Sequence, residues 1–394
     1  MRYYEERATK RPTSLGSGLL TALLRIALAV LIPVITFCVL YQGFVFLRAG
    51  SAPKWLITIV AIVWGVGGTA ILYWVFNWLV EMLPVEWTAR LQPFVFVGPG
   101  IALLIWFLTL PTLRTLWISL FGPNGPPRLV DFASFGEYAA ALGAQFQGLS
   151  NYTAVFTDRG MLEAFRNNIF FWLLIATPLT VMVGLLVAAL ADRSRFERVA
   201  KSFIFMPMAI SMVGAGIIWN FIYEVKPVDA PQIGLLNAVV VAFGGQPHAW
   251  QAYTDIAPWN NLFLVVIVLW LQVGYAMVLF SAAIKGVPEE IIEASRVDGA
   301  TEIEVFLKIV VPTIMGTIIT VTTTTVIFTL KVFDVVWVMT GGQFGTEVIA
   351  TQFYRQSFIA RNAGYGSAIA IVLLIAVIPV RVYNLRQFRE QEAF

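Results

Sequence analysis

The polar run from Lys285 to Glu304 holds the residues best able to do work in this chain, and its pattern suits docking rather than bond-making. Pro288 fits a first helical position, because the N–H it lacks would have had no partner there, and Glu289 and Glu290 lie where the positive end of the helix dipole favours carboxylates. Ile291, Ala294 and Val297 recur every three residues with Ile292 beside them, while Glu289, Glu293 and Arg296 fall on the opposite side. This spacing predicts an amphipathic helix within 287–300 that offers an apolar face to a partner's groove, with the flanking charges setting its register. Three acidic residues against Arg296 alone argue against a helix lying on anionic lipid. Gly299 can take the left-handed conformation that ends a helix, and Thr301 with Glu304 forms a capping box, so a second helix starts at once into the apolar run at Val305. Pro312 is a candidate kink in that second helix.

Covalent chemistry has little to work with. No Gly-x-x-x-x-Gly-Lys-Ser/Thr phosphate loop occurs, and the one histidine, His248, falls in a loop without a metal-type cluster around it. Cys38 is the one cysteine, so neither an intrachain disulfide nor a cysteine metal site can form. The apolar runs lack the buried acid and histidine relays of ion-driven carriers. Lys331 and Asp334, three apart, come closest, and they are expected to pair with each other or to reach the interface. A secondary transporter would need ionisable residues at mid-membrane depth and paired broken helices in repeated halves; a membrane enzyme would need a catalytic constellation. Neither pattern is legible, so the chain is expected to have no enzymatic activity and no metal or cofactor of its own.

The elements that position these residues are apolar. Aliphatic, aromatic, Met and Cys residues make up 59% of the 394 residues and charged residues 12%, which places the chain among polytopic membrane proteins. Eight apolar runs, about 19–47, 55–80, 94–120, 168–191, 203–223, 261–284, 305–330 and 366–385, predict an all-α fold of eight transmembrane helices. Arg2, Arg7, Lys10 and Arg11 precede the first run, Arg193, Arg195, Arg198 and Lys201 follow the fourth, and Arg381, Arg386 and Arg389 follow the last. By the positive-inside rule both termini and the Glu293 segment are cytoplasmic, and the net charge of +3 reflects topology rather than nucleic-acid binding. Residues 1–18 form a cytoplasmic N-terminus, 19–93 two accessory helices, and 94–390 a six-helix core. The loops at 121–167, 224–260 and 331–365 are expected to cap it on the outside.

Glu293-Ala294-Ser295, followed by Gly299 and by Ile309-Val310-Val311-Pro312, resembles the EAA signature of ATP-binding-cassette importer permeases, with Ser295 where the second alanine usually stands. Phe205-Met206-Pro207-Met208-Ala209-Ile210-Ser211 with Trp219, and Phe333-Asp334-Val335-Val336-Trp337 before Thr340-Gly341-Gly342, resemble carbohydrate-type members. The eight-helix form is similar to the larger membrane subunit of the maltose importer, although the segment before the fourth run is too short for that subunit's large periplasmic domain. The resemblance implies a coupling helix at 287–300 that docks on a separate ATPase subunit, which would carry ATP and Mg. It also implies a second permease, two ATPase subunits, an outside sugar-binding protein and a bacterial or archaeal cytoplasmic membrane. A di- or oligosaccharide such as an α-glucoside is the expected cargo, with a non-sugar solute as the alternative. Sugars bind through hydroxyl hydrogen bonds and ring-face stacking, so Asn220 with Trp219 and Tyr223, Gln272 with Tyr275, and Asp334 with Trp337 are the substrate-path candidates. The same residue types also join neighbouring helices, as Thr320 and Thr322 to Thr325 are expected to do by bonding back to their own helix.

Overall fold

The computed structural model describes residues 41–81, 85–250 and 257–391, with residues 31, 34, 35, 38, 39 and 252 besides. The 1–18 segment with its basic residues, and much of the 19–47 run, lie outside them. The regular elements among the described residues are helices, without a sheet; Phe121 and Phe146 make an isolated bridge. Internal contacts divide the chain into two compact units, Met1–Thr112 and Leu113–Phe394.

In the first unit, α1 (Lys54–Glu81) and the start of α2 (Thr88–Ile118) run side by side. The Tyr73 hydroxyl donates to the Phe96 carbonyl at 2.9 Å, and the Thr88 hydroxyl to the Val80 carbonyl at 2.9 Å.

The second unit carries short helices α3 (Phe135–Gln145) and α4 (Ser150–Thr157), then α5 (Arg159–Asp192). Next come α6 (Glu197–Ala209), α7 (Met212–Ile222), α8 (Leu235–Ala242) and α9 (Asn261–Lys285). The remainder is α10 (Glu289–Val297), α11 (Glu302–Thr313), α12 (Met315–Leu330), α13 (Asp334–Thr340), α14 (Ile349–Tyr354) and α15 (Ala363–Gln391). Helices α5 and α9 form the spine. Their backbones approach closely because the contact is lined by small residues: a Cβ on Gly184 would lie 2.5 Å from the Ala276 Cβ. Phe171, Trp172, Leu264, Ile267, Val268 and Leu271 fill the main core along this spine with Val335 and Val336 of α13.

Among the described residues, five helices are long and apolar enough to cross a membrane, namely α1, α2, α5, α9 and Ala363–Asn384 of α15; the number rises to seven if two bent pairs each count as one span. The runs at 203–223 and 305–330 are therefore not straight spans. In the first, α6 meets α7 at 104°. Pro207 has no N–H to continue the ladder, Met206–Ala209 tightens into a 3₁₀ turn, and Ser211 then caps α7 by accepting from the Gly214 N–H at 3.1 Å. In the second, α11 meets α12 at 71°. The turn Phe306–Val310 is widened ahead of Pro312, and the bend itself falls two residues beyond that proline, at Ile314 (φ −91°, ψ 13°). A hydropathy average cannot register either bend, since a proline and a capping serine cost an apolar run almost nothing.

Candidate coupling and translocation sites

At the Lys285 end of the spine, Pro288 is the residue before the helix rather than its first member, with ψ 131°, and α10 starts at Glu289. Gly299 takes φ +87°, and the capping box is made: the Thr301 N–H donates to Glu304 Oε2 at 3.1 Å, and the Glu304 N–H to Thr301 Oγ1 at 3.4 Å. The expected apolar face is divided. Ile292 packs inward on Val287, Val305, Val310 and Ile314, and Ser295 is buried beside it, its hydroxyl donating to the Ile292 carbonyl at 2.7 Å. Ile291, Ala294 and Val297 remain outward with Glu293; Val297 is 87% exposed, and Ile303 and Leu307 of α11 are exposed as well. Ile292 is thus committed to its own chain because the turn at Gly299 folds α10 back against α11. Pro312 lies exposed on α11.

Ion pairs hold this segment in place. Glu302 accepts from Arg296 Nε at 2.9 Å and from an Arg193 guanidinium nitrogen at 2.8 Å, so α10, α11 and the end of α5 share one carboxylate. The hydrogen bond it donates to Glu302 holds the Arg296 guanidinium above its usual range. Beside them Lys201 of α6 bonds to Asp192 of α5 and Ser281 of α9, and to Glu197 at 2.6 Å; Lys285 reaches Glu197 at 2.5 Å. Of these, Arg193 and Lys201 were expected only to report sidedness, and Arg296 to help set the register of α10. Arg193 meets Glu302 across 109 residues and Lys201 meets Ser281 across 80, contacts that no local pattern marks, whereas Lys201 with Glu197 is an i, i+4 pair.

At the Asn261 end, the loop after α13 is pinned by amide side chains. Asn167 donates to the Gly345 and Glu347 carbonyls, both at 2.8 Å, Asn261 to Gly345 at 3.0 Å, and Asn260 to Phe344 at 2.7 Å. Arg355 bonds to the Gly341 carbonyl at 2.8 Å and to Glu347 at 3.1 Å. Nearby, a cavity of about 310 Å³ is lined by Met212 at the start of α7, by Thr324 and Phe328 of α12, and by Lys331, Phe333 and Asp334.

The seven substrate-path candidates do not converge. Tyr223 is buried in the core, its hydroxyl donating to the Phe263 carbonyl at 3.0 Å, and Trp219 packs between Tyr223 and Trp270. Asn220 follows on the same helix, and Gln272 and Tyr275 lie half-buried on α9. Asp334 alone of the seven lines the cavity, and Trp337 stands one turn further along α13. Lys331 and Asp334 do not pair; both are exposed toward the cavity. The threonines do bond back to their own helix, Thr320 to Gly316, Thr322 to Ile318, Thr323 to Ile319 and Thr325 to Val321, while Thr324 faces the cavity. His248 is half-buried in its loop, its ring edge-on to Trp250 at 5.3 Å.

An all-α membrane unit with two broken helices and a rigidly capped polar helix at one end defines a transport permease. Residues 180–388 match the family of binding-protein-dependent transport system inner membrane components, and the chain belongs to that family. It is similar to the osmoprotective compounds uptake permease protein GgtC of Synechocystis sp., at 45% identity over 298 residues, covering 76% of this chain and 99% of that protein. Similarity to the alpha-glucoside transport system permease protein AglF of Rhizobium meliloti is 43% over 297 residues, covering 75% of this chain and 82% of that one. In fold it is similar to a subunit of a bacterial alginate ABC transporter solved in complex with an alginate pentasaccharide-bound periplasmic protein. There the TM-score is 0.60 at 16% identity, covering 77% of this chain and 96% of that chain.

Proposed function

We propose that this chain is a permease subunit of an ATP-driven, binding-protein-dependent sugar importer and that its cargo is an α-glucoside or a similar small glycoside. The observation that carries the coupling half is the outward patch of Ile291, Ala294 and Val297 with Glu293, on a helix fixed by Gly299, the Thr301 cap and the Glu302 ion pairs. A separate ATPase subunit, holding ATP and Mg, docks there and turns α10; α11 carries the motion through its 71° bend into α12. The cargo half is supported by the alpha-glucoside system to which AglF belongs by name. The name of GgtC favours one second reading, an osmoprotective solute carried by the same mechanism.

In this reading the chain forms half of the pore with a second permease, two ATPase subunits serve the pair, and an outside binding protein delivers the sugar. Residues 94–390 form the core, 19–93 are accessory, both termini are cytoplasmic, and catalysis belongs to the ATPase alone. Import proceeds by alternating access. Uptake of radiolabelled maltose and trehalose by a strain lacking this chain tests it. Wild-type protein should restore uptake of at least one, and Gly299→Asp should abolish both uptake and capture of the ATPase. Normal uptake and capture with Gly299→Asp would remove α10 from the coupling role.

A further inference from the structure

Four aromatic rings meet next to the cavity without being buried. Phe333 and Trp337 lie one helical turn apart at 5.7 Å and 14°, Tyr354 sits 4.6 Å from Trp337 and 5.3 Å from Phe333, and Phe358 lies 5.2 Å from Tyr354. Phe333, Trp337 and Tyr354 are half-exposed, and Phe358 is 62% exposed. The cluster runs from the surface at Phe358 to the cavity wall at Phe333. At that wall Asp334 and Lys331 present a carboxylate and an ammonium that no ion pair among the described residues occupies.

Rings beside an acceptor and a donor are the chemistry that holds a pyranose: its C–H face lies on the rings and its hydroxyls bond to the charged groups. We infer that Phe333, Trp337, Tyr354 and Phe358 form a platform that receives a glycosyl ring between the surface and the cavity, with Asp334 and Lys331 taking its hydroxyls. This rests on the sugar reading above and extends it to a place. Four aromatic positions from two helices and the turn that follows are joined only by the fold.

The test uses the whole transporter, with this chain carrying Trp337→Leu and Tyr354→Leu together, or Trp337→Phe and Tyr354→Phe together. The readouts are the initial uptake rate of radiolabelled maltose and trehalose and the yield of copurified ATPase. The leucine pair keeps apolar bulk but no ring face, and it should lower uptake about tenfold, equivalent to about 1.4 kcal/mol, at unchanged ATPase yield. The phenylalanine pair should remain within about twofold of wild type. Wild-type uptake by the leucine pair overturns the platform and leaves the sugar reading standing. Equal failure of both pairs also overturns it, since packing rather than ring faces would then be at stake. A wild-type transporter that carries neither sugar overturns the sugar reading and the platform with it.

Discussion

Glu347 shows how one residue can matter without touching any ligand. It is 7% exposed beneath the turn at Gly341 and Gly342 and accepts from Arg355 at 3.1 Å. Burial pushes its carboxyl above the ordinary value of 4.5 despite that arginine. The folded chain therefore binds this proton at a pH where the unfolded chain has already released it. Stability falls as pH rises through the raised value and is regained as pH falls back toward 4.5. Glu347→Gln removes the titration. Thermal midpoints measured in detergent should show the wild type gaining on the variant as pH falls toward 4.5. A difference that is flat or reversed in sign would mean that Arg355 outweighs the burial.

Among the elements, the join of α5, α6 and α9 is the most heavily committed. Lys201 and Asp192 are 19% and 10% exposed as side chains, and with Ser281 they link three helices where a Cβ on Gly274 would meet the Ile204 carbonyl at 2.5 Å. The close backbone crossing fixes α6, which leaves the 104° bend at Pro207 to Ser211 as the place where α7 can turn against it. Lys201→Met leaves the half-buried Asp192 carboxylate with Ser281 as its partner and should lower stability, by about 1 kcal/mol or more. Adding Asp192→Asn should restore part of the loss, which a double-mutant cycle on thermal stability would read as strong coupling. Additive losses would mean that the pair contributes little beyond the packing.

On the scale of the whole molecule, the two ends of α9 carry different equipment. Its Lys285 end meets the polar helix α10, and its Asn261 end meets a loop whose carbonyls are held by Asn167, Asn260 and Asn261. An importer driven from one side and loaded from the other needs this asymmetry. With Cys38 replaced by serine, Val297→Cys should react with a membrane-impermeant maleimide in inverted vesicles and not in intact cells. Binding of the ATPase should protect it, because that side chain is 87% exposed in the free chain. Labelling from intact cells would reverse the proposed orientation.

The membrane class, the chain positions of most apolar helices, the cap at Thr301 and the left-handed Gly299 were legible in the residues, because hydropathy and helix ends are local properties written within a few positions of one another. The helix α10 was legible for the same reason. The side of it that faces home was not, since Ile292 and Val297 are equally apolar and only the fold-back onto α11 decides between them. Tertiary structure alone turned two apolar runs into bent pairs, placed Tyr223 in the core, and left Lys331 and Asp334 unpaired at a cavity. It also brought Arg193 to Glu302 and Lys201 to Ser281. Each of these depends on which distant helix arrives alongside, a matter of packing between surfaces that no stretch of sequence contains by itself.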